Sequence, residues 1–178
     1  MSQLVLSGHS FGGSTMIKTA SELPDAEQPK ALLLMDPWCY SISEEIMSGK
    51  IGFKCPVQMI HSEKFHGAQP LHLYDSWGCI QKTLKTGRNA SKQENVIVKG
   101  IVHEVQTDFA IAQSWEMCIT LGILPKPFIS EAYQLHMLLM LSYLDKLDKL
   151  SNAAKYFDST KVREKLSRME KEDWLLYD

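Results

Sequence analysis

Gln3-Leu4-Val5-Leu6-Ser7-Gly8-His9-Ser10-Phe11-Gly12-Gly13 decides how this chain is read, because a short apolar strand runs straight into a glycine turn that opens a helix. Within it, Gly8-His9-Ser10-Phe11-Gly12 has the form G-x-S-x-G of a nucleophile elbow. A strand that turns sharply into a helix forces the central serine into strained dihedrals, and side chains at the flanking positions would collide with neighbouring elements. Gly8 and Gly12 are therefore the expected elbow glycines. Ser10 is presented at the strand tip, its Oγ near a helix N-terminus whose amides stabilise a developing oxyanion.

Downstream, Met16, Ile17, Ala20 and Leu23 have helical spacing, so Gly12 to Leu23 is expected to be a helix closed by Pro24 and Asp25. Further strands are expected at Ala31 to Met35, Val57 to His61 and Val96 to Gly100, with the first at Gln3 to Ser7. Three of the four are continuous apolar runs, the pattern of parallel strands covered on both faces. Helices are expected over 66–89, over Phe109 to Leu121, and over Ser130 to Leu150 with Ser130 as its cap. The fold class is α/β, a mostly parallel sheet of about four strands with flanking helices. A first domain over 1–150 is followed by a charged helical tail over 151–178, ending near Trp174. From 141 to 178, eight Lys and Arg face eight Asp and Glu, so the field largely cancels and the tail is read as solvated.

A chain of 178 residues with 44% hydrophobic and 22% charged residues can bury a core, which excludes disorder as a description of the whole. Net charge of −2 gives no broad electrostatic reason to bind nucleic acid. Cys39, Cys55, Cys79 and Cys118 fit neither a C-x-x-C metal pattern nor a disulfide scaffold, and are read as buried thiols. Leu135 to Leu144, the longest greasy stretch, falls well short of the ~20 residues that span a bilayer. Nothing near Met1 resembles a signal peptide, which favours the cytoplasm.

A serine hydroxyl needs a base, and the base an orienting acid, in the chain order serine, acid, histidine. Asp36 directly ends the apolar run Ala31 to Met35, and His103 follows the strand Val96 to Gly100. Both are expected on the rim of the sheet where strands end and functional groups gather. Asp36 before Pro37 could otherwise simply begin a turn, and His103 could cap a helix starting near Asp108. Glu63 and Asp75 compete as the acid, but neither directly ends an apolar strand. His9 is expected to border the pocket. His61, His66 and His72, spaced by 5 and 6, do not put two ligands on one helical face, so no metal is expected. His136, in the greasy helix, is read as a satisfied core or interface residue.

Taken as blocks, Gly8-His9-Ser10-Phe11-Gly12-Gly13, Leu34-Met35-Asp36-Pro37-Trp38, His61-Ser62-Glu63-Lys64-Phe65 and Gly100-Ile101-Val102-His103 with Thr107-Asp108-Phe109 resemble the platelet-activating factor acetylhydrolase family of plasma and intracellular α/β-hydrolases. The resemblance covers roughly residues 1 to 121. It implies a calcium-independent, cofactor-free serine esterase of phospholipase A2 type, acting in lipid degradation on the short or oxidised sn-2 acyl ester of glycerophospholipids. Ser10, Asp36 and His103 would form the catalytic triad, and the Phe11 amide would supply one oxyanion donor. Trp38 and Phe65 join His9 as pocket candidates. Contact with a lipid surface is implied as well, with Met137 to Leu141 as apolar candidates that the core competes for.

In that fold the elbow strand lies mid-sheet, preceded by several strands, whereas six residues precede Ser7 here. The chain is thus expected to be a C-terminal portion lacking an N-terminal half and the loop that carries a second oxyanion donor. The alternative readings are an impaired fragment that self-associates through an open edge strand, and a serine hydrolase for another ester.

Overall fold

A computed structural model describes residues 4–67, 76–85, 92–107, 129–147, 158–171 and 175–177. In chain order its elements are β1 (Val5–His9), α1 (Phe11–Glu22), β2 (Ala31–Met35), α2 (Ser43–Met47), β3 (Val57–Ser62), α3 (Glu63–Gly67), α4 (Ser76–Lys85), β4 (Gln93–Val98), α5 (Ile129–Lys146), α6 (Ser159–Lys171) and β5 (Leu175–Tyr177). Short 3-10 turns occupy Asp25–Glu27, Cys39–Ile42 and His103–Gln106. The helix expected over Phe109 to Leu121 lies outside the described residues, as do Leu71, Leu73, Asp75, Asp108 and Cys118. The chain divides into two compact units, Met1–Ile60 with Ala68–Asn95, and His61–Gly67 with Val96–Asp178.

In the first unit, β1, β2, β3 and the start of β4 follow one another in that order across a sheet. β2 is parallel to β1, with Val5 opposite Ala31 and His9 opposite Met35, and parallel to β3, with Leu32 opposite Val57 and Met35 opposite Ile60. Ala31 to Leu34 are all buried, the burial that a continuous apolar run predicts for a strand covered on both faces. β1 is the edge strand of the described sheet, and it is only half-buried. α1 turns Gly13, Ser14, Ile17 and Ala20 inward, one face of a 3.6-residue period, and Leu23 leaves the helix with ψ 140 just before Pro24. Ile17, Leu32, Leu34, Ile46, Phe53, Val57, Met59 and Ile80 are among the residues of its apolar core. Cys39, Cys55 and Cys79 are free, buried thiols, as read from their spacing.

In the second unit, β5 runs antiparallel to β4, with Val96 opposite Tyr177 and Val98 opposite Leu175. The tail helix, expected to end near Trp174, spans Ser159–Lys171, and β5 is a further strand that the expectation did not include. α5 buries Ala132, Leu135, His136, Leu139 and Tyr143 and packs on α6. The tail helix is only partly solvated: Val162, Leu166 and Met169, at i, i+4 and i+7, are 6%, 6% and 4% exposed, so an apolar stripe lies beneath the balanced charges. Asp158 caps it, accepting from the Thr160 and Lys161 amides at 3.1 and 3.3 Å. Among the described residues, no helix is long and apolar enough to cross a membrane. The α/β class, mostly parallel sheet and flanking helices match the expectation.

Candidate active site

Ser10 sits between β1 and α1 with φ 56 and ψ −123, a left-handed conformation that an L-residue adopts only where its surroundings impose it. The imposition comes from both sides. A Cβ on Gly8 would lie 2.5 Å from the Gly12 carbonyl oxygen, so only glycine lets strand and helix approach this closely. On the helix side the tight position is Gly13, whose added Cβ would meet Pro37 Cβ at 2.9 Å. A Cβ added to Gly12 would meet nothing within 4 Å, which corrects the expectation that both motif glycines avoid a collision. Ser10 occupies the N-cap position of α1 but makes no side-chain capping bond, and the first helical turn carries no carboxylate. The positive end of the helix dipole at the Phe11 end of the elbow thus meets no carboxylate from its own first turn.

Asp36 follows β2 and is fully buried, with φ 43, a conformation that aspartate tolerates better than most residues. Its amide donates to the Ile60 carbonyl at 2.9 Å. The elbow and the Asp36-Pro37-Trp38 turn are knitted together by backbone. The Ser10 amide donates to Met35 O and the Trp38 amide to Ser10 O, both at 3.0 Å, while the Ser14 hydroxyl donates to the Trp38 carbonyl. A ring nitrogen of His9 and a carboxylate oxygen of Asp36 lie within 4.8 Å of one another. Asp36 thus both begins a turn and sets a carboxylate beside the elbow; the two sequence readings of this residue are compatible.

An aromatic group borders this arrangement. The Phe11 and Trp38 ring centroids are 6.4 Å apart, and Trp38 stacks on Tyr40 at 5.8 Å. Phe11 is 57% and Tyr40 47% exposed. Tyr40 escaped the sequence reading, although its position two residues after Trp38 was a signal. Cys39, between them, is an inert thiol: burial first, then the neighbouring Cys79, push its pKa up to about 12.

His103 belongs to the second unit, where it opens a 3-10 turn just after Gly100, whose φ of 74 needs a residue without a side chain. Its ring stacks on Phe65 with centroids 3.9 Å apart and planes 12° apart. Glu63 Oε2 accepts from the Gly100 amide at 2.7 Å, and the Lys64 amide donates to Ile101 O at 3.3 Å. From α5, the Tyr133 hydroxyl donates to the Thr107 carbonyl at 2.8 Å, and His136 Nε2 lies 3.1 Å from Gln106 Nε2. His136 Nδ1 is 2.7 Å from the Ala132 carbonyl, so that residue is a hydrogen-bonded core histidine, as expected. Among the expected site residues, Ser10, His9, Phe11, Asp36 and Trp38 gather in the first unit, and Phe65 and His103 in the second.

The family model described as platelet-activating factor acetylhydrolase, isoform II matches residues 1–165. The platelet-activating factor acetylhydrolase of Cavia porcellus is 32% identical over 111 residues, covering 62% of this chain and 22% of that protein. Those of Gallus gallus and Bos taurus are 27% and 26% identical over 108 and 112 residues, again 22% of each relative's length.

Proposed function

Since the chain belongs to the platelet-activating factor acetylhydrolase, isoform II family, a family of α/β-hydrolases, we propose that it acts as a serine esterase on the short or oxidised sn-2 acyl ester of glycerophospholipids. Ser10 Oγ attacks the ester carbonyl and passes its proton to His103 as the carbon becomes tetrahedral. The Phe11 amide, at the head of α1, donates to the oxyanion; one such donor is worth about 10²- to 10³-fold in rate. Collapse of the tetrahedral species expels the lysophospholipid alkoxide, which takes the proton from His103 and leaves an acyl-serine. Water, deprotonated by the same imidazole, then releases the carboxylate and restores Ser10. Asp36 holds His103 in the required tautomer. His9 and the Phe11, Trp38 and Tyr40 rings border the acyl site.

The observation that carries this reading is the Ser10 backbone, φ 56 and ψ −123 between a strand and a helix that lacks both a capping side-chain bond and a first-turn carboxylate. Close packing and backbone hydrogen bonds hold the serine in this strained conformation, and presentation of a nucleophile is the use that such strain at a strand tip would serve.

A fluorophosphonate probe tests it directly. The wild-type chain labels at Ser10, and labelling is lost in both Ser10→Ala and His103→Ala. With acyl-serine turnover followed on matched glycerophospholipids, acetyl at sn-2 is cleaved faster than palmitoyl. A chain with a cooperative thermal transition that never labels would remove the enzymatic reading.

A further inference from the structure

We propose that Phe65 is a positioning residue for the His103 imidazole and that Glu63 anchors it to the histidine loop. The inference rests on His103 being the general base of the proposed esterase, and gives Phe65 a task other than lining the pocket. A histidine ring turns about χ2 in a broad, shallow well, so the backbone alone does not fix the plane in which its nitrogens are presented. Proton transfer, however, demands alignment within about 10–20°. The Phe65 ring adds a restraint of its own, because at a centroid separation of 3.9 Å and 12° between planes, rotation of the imidazole drives its edge into the phenyl face.

A restraint of this kind is useful only if it is itself held. Phe65 is 7% exposed and lies in α3, which begins immediately after β3, so its origin is set by the end of a strand. Two hydrogen bonds then tie α3 to the loop: Gly100 N–H to Glu63 Oε2, and Lys64 N–H to Ile101 O. Glu63 meets Gly100, Lys64 meets Ile101 and Phe65 meets His103, so three successive residues of one short segment grip the four-residue stretch Gly100 to His103 of the other. The Gly100 turn at φ 74 lets its amide point at the carboxylate. Glu63, a competitor for the triad acid on sequence grounds, acquires a different and specific use.

The test combines kinetics with the spectroscopic signature of the stack, in the full chain. Phe65→Leu lowers kcat ~10- to 100-fold with KM within about twofold, the pattern of a misaligned base rather than of lost substrate binding. Phe65→Tyr keeps the ring and stays within about threefold of wild type. Glu63→Ala loses about tenfold in kcat, and Glu63→Gln, whose amide oxygen still accepts from Gly100, restores most of it. In NMR spectra the His103 ring protons carry an upfield ring-current shift that disappears in Phe65→Leu and survives in Phe65→Tyr, a readout independent of turnover. If His103→Ala leaves hydrolysis unchanged, the esterase reading of His103 fails, and this inference with it. If His103→Ala is inactive but Phe65→Leu keeps its kcat or its His103 shifts, the positioning role alone is overturned.

Discussion

The serine elbow of the first unit and the histidine turn of the second are built by different means. At the elbow, backbone does the holding. Ser10 is fixed by its amide on Met35, by its carbonyl under the Trp38 amide, and by glycines at 8 and 13 whose missing side chains let main chain meet main chain. At the histidine turn, side chains do most of it: Glu63, Phe65, Tyr133 and His136 reach in from segments 26 to 38 residues away in sequence. Backbone geometry tolerates almost no chemical change at the few positions that impose it, whereas a side-chain scaffold spreads the load and yields by degrees. Substitution should therefore separate the two regions.

The largest effect is expected at Gly8. In Gly8→Ala the new methyl would stand 2.5 Å from Gly12 O and 2.8 Å from Gly13 N, both backbone atoms of the helix start, which cannot rotate aside. A loss of about 3 kcal/mol in urea unfolding, the upper range for overpacking, is expected together with loss of fluorophosphonate labelling. Gly13→Ala presses on Pro37 at 2.9 Å and should cost less, because the proline turn can shift. If Gly8→Ala were to unfold at the wild-type denaturant concentration, the elbow would not be backbone-limited and the contrast would collapse.

Tyr133→Phe is the matching change at the histidine turn. It deletes a single 2.8 Å bond to the Thr107 carbonyl in a partly exposed place, so about 1 kcal/mol is expected, with the chain still labelled by the probe. Unfolding midpoints of the two variants, measured side by side, sharpen the comparison. Equal costs would mean that both regions are held alike.

The same difference explains what the sequence discloses. The elbow was legible because its constraints appear as glycines at fixed spacing, and β2 because five apolar residues in a row have one natural use. The boundaries of β1 moved from Gln3–Ser7 to Val5–His9, since Gly8 and His9 still pair with Leu34 and Met35 although neither looks like a strand residue. β4 moved the other way, to Gln93–Val98, because the polar Gln93-Glu94-Asn95 extend the strand while Gly100 at φ 74 has already left it. β5 was invisible: three residues gain strand form only by pairing with Val96 to Val98, a partner nearly eighty residues away in the chain. The props of His103 were equally hidden, since Phe, Glu and Tyr have many ordinary uses and nothing in their spacing announces a contact.

A smaller effect is expected at Asp158, where a helix cap and its charges lie at the surface. Backbone donation, chiefly from Lys161, and the Lys161 charge hold its carboxyl below the usual carboxylate range. A group whose folded pKa is depressed stabilises the fold above its unfolded pKa, near 4, and loses that contribution as pH falls through the folded value. Asp158→Ala should therefore weaken α6 at pH 7, read as faster amide exchange in its first turn, and the difference from wild type should fade towards pH 2. A difference that persisted unchanged at pH 2 would assign the effect to something other than the ionised cap.

Gly12→Ala closes the series with the least change. The G-x-S-x-G pattern alone ranks Gly12 beside Gly8, yet the space around it is open, its φ is not left-handed, and it lies in the first turn of α1. Alanine gains up to about 1 kcal/mol over glycine inside a helix and less near an end, so the variant should melt at, or slightly above, the wild-type temperature. Differential scanning calorimetry of Gly12→Ala beside Gly8→Ala reads the two motif glycines against each other. Parity between them, with both severely destabilised, would show that the elbow is tight on its helix side at residue 12, and would move the decisive contact away from Gly13 and Pro37.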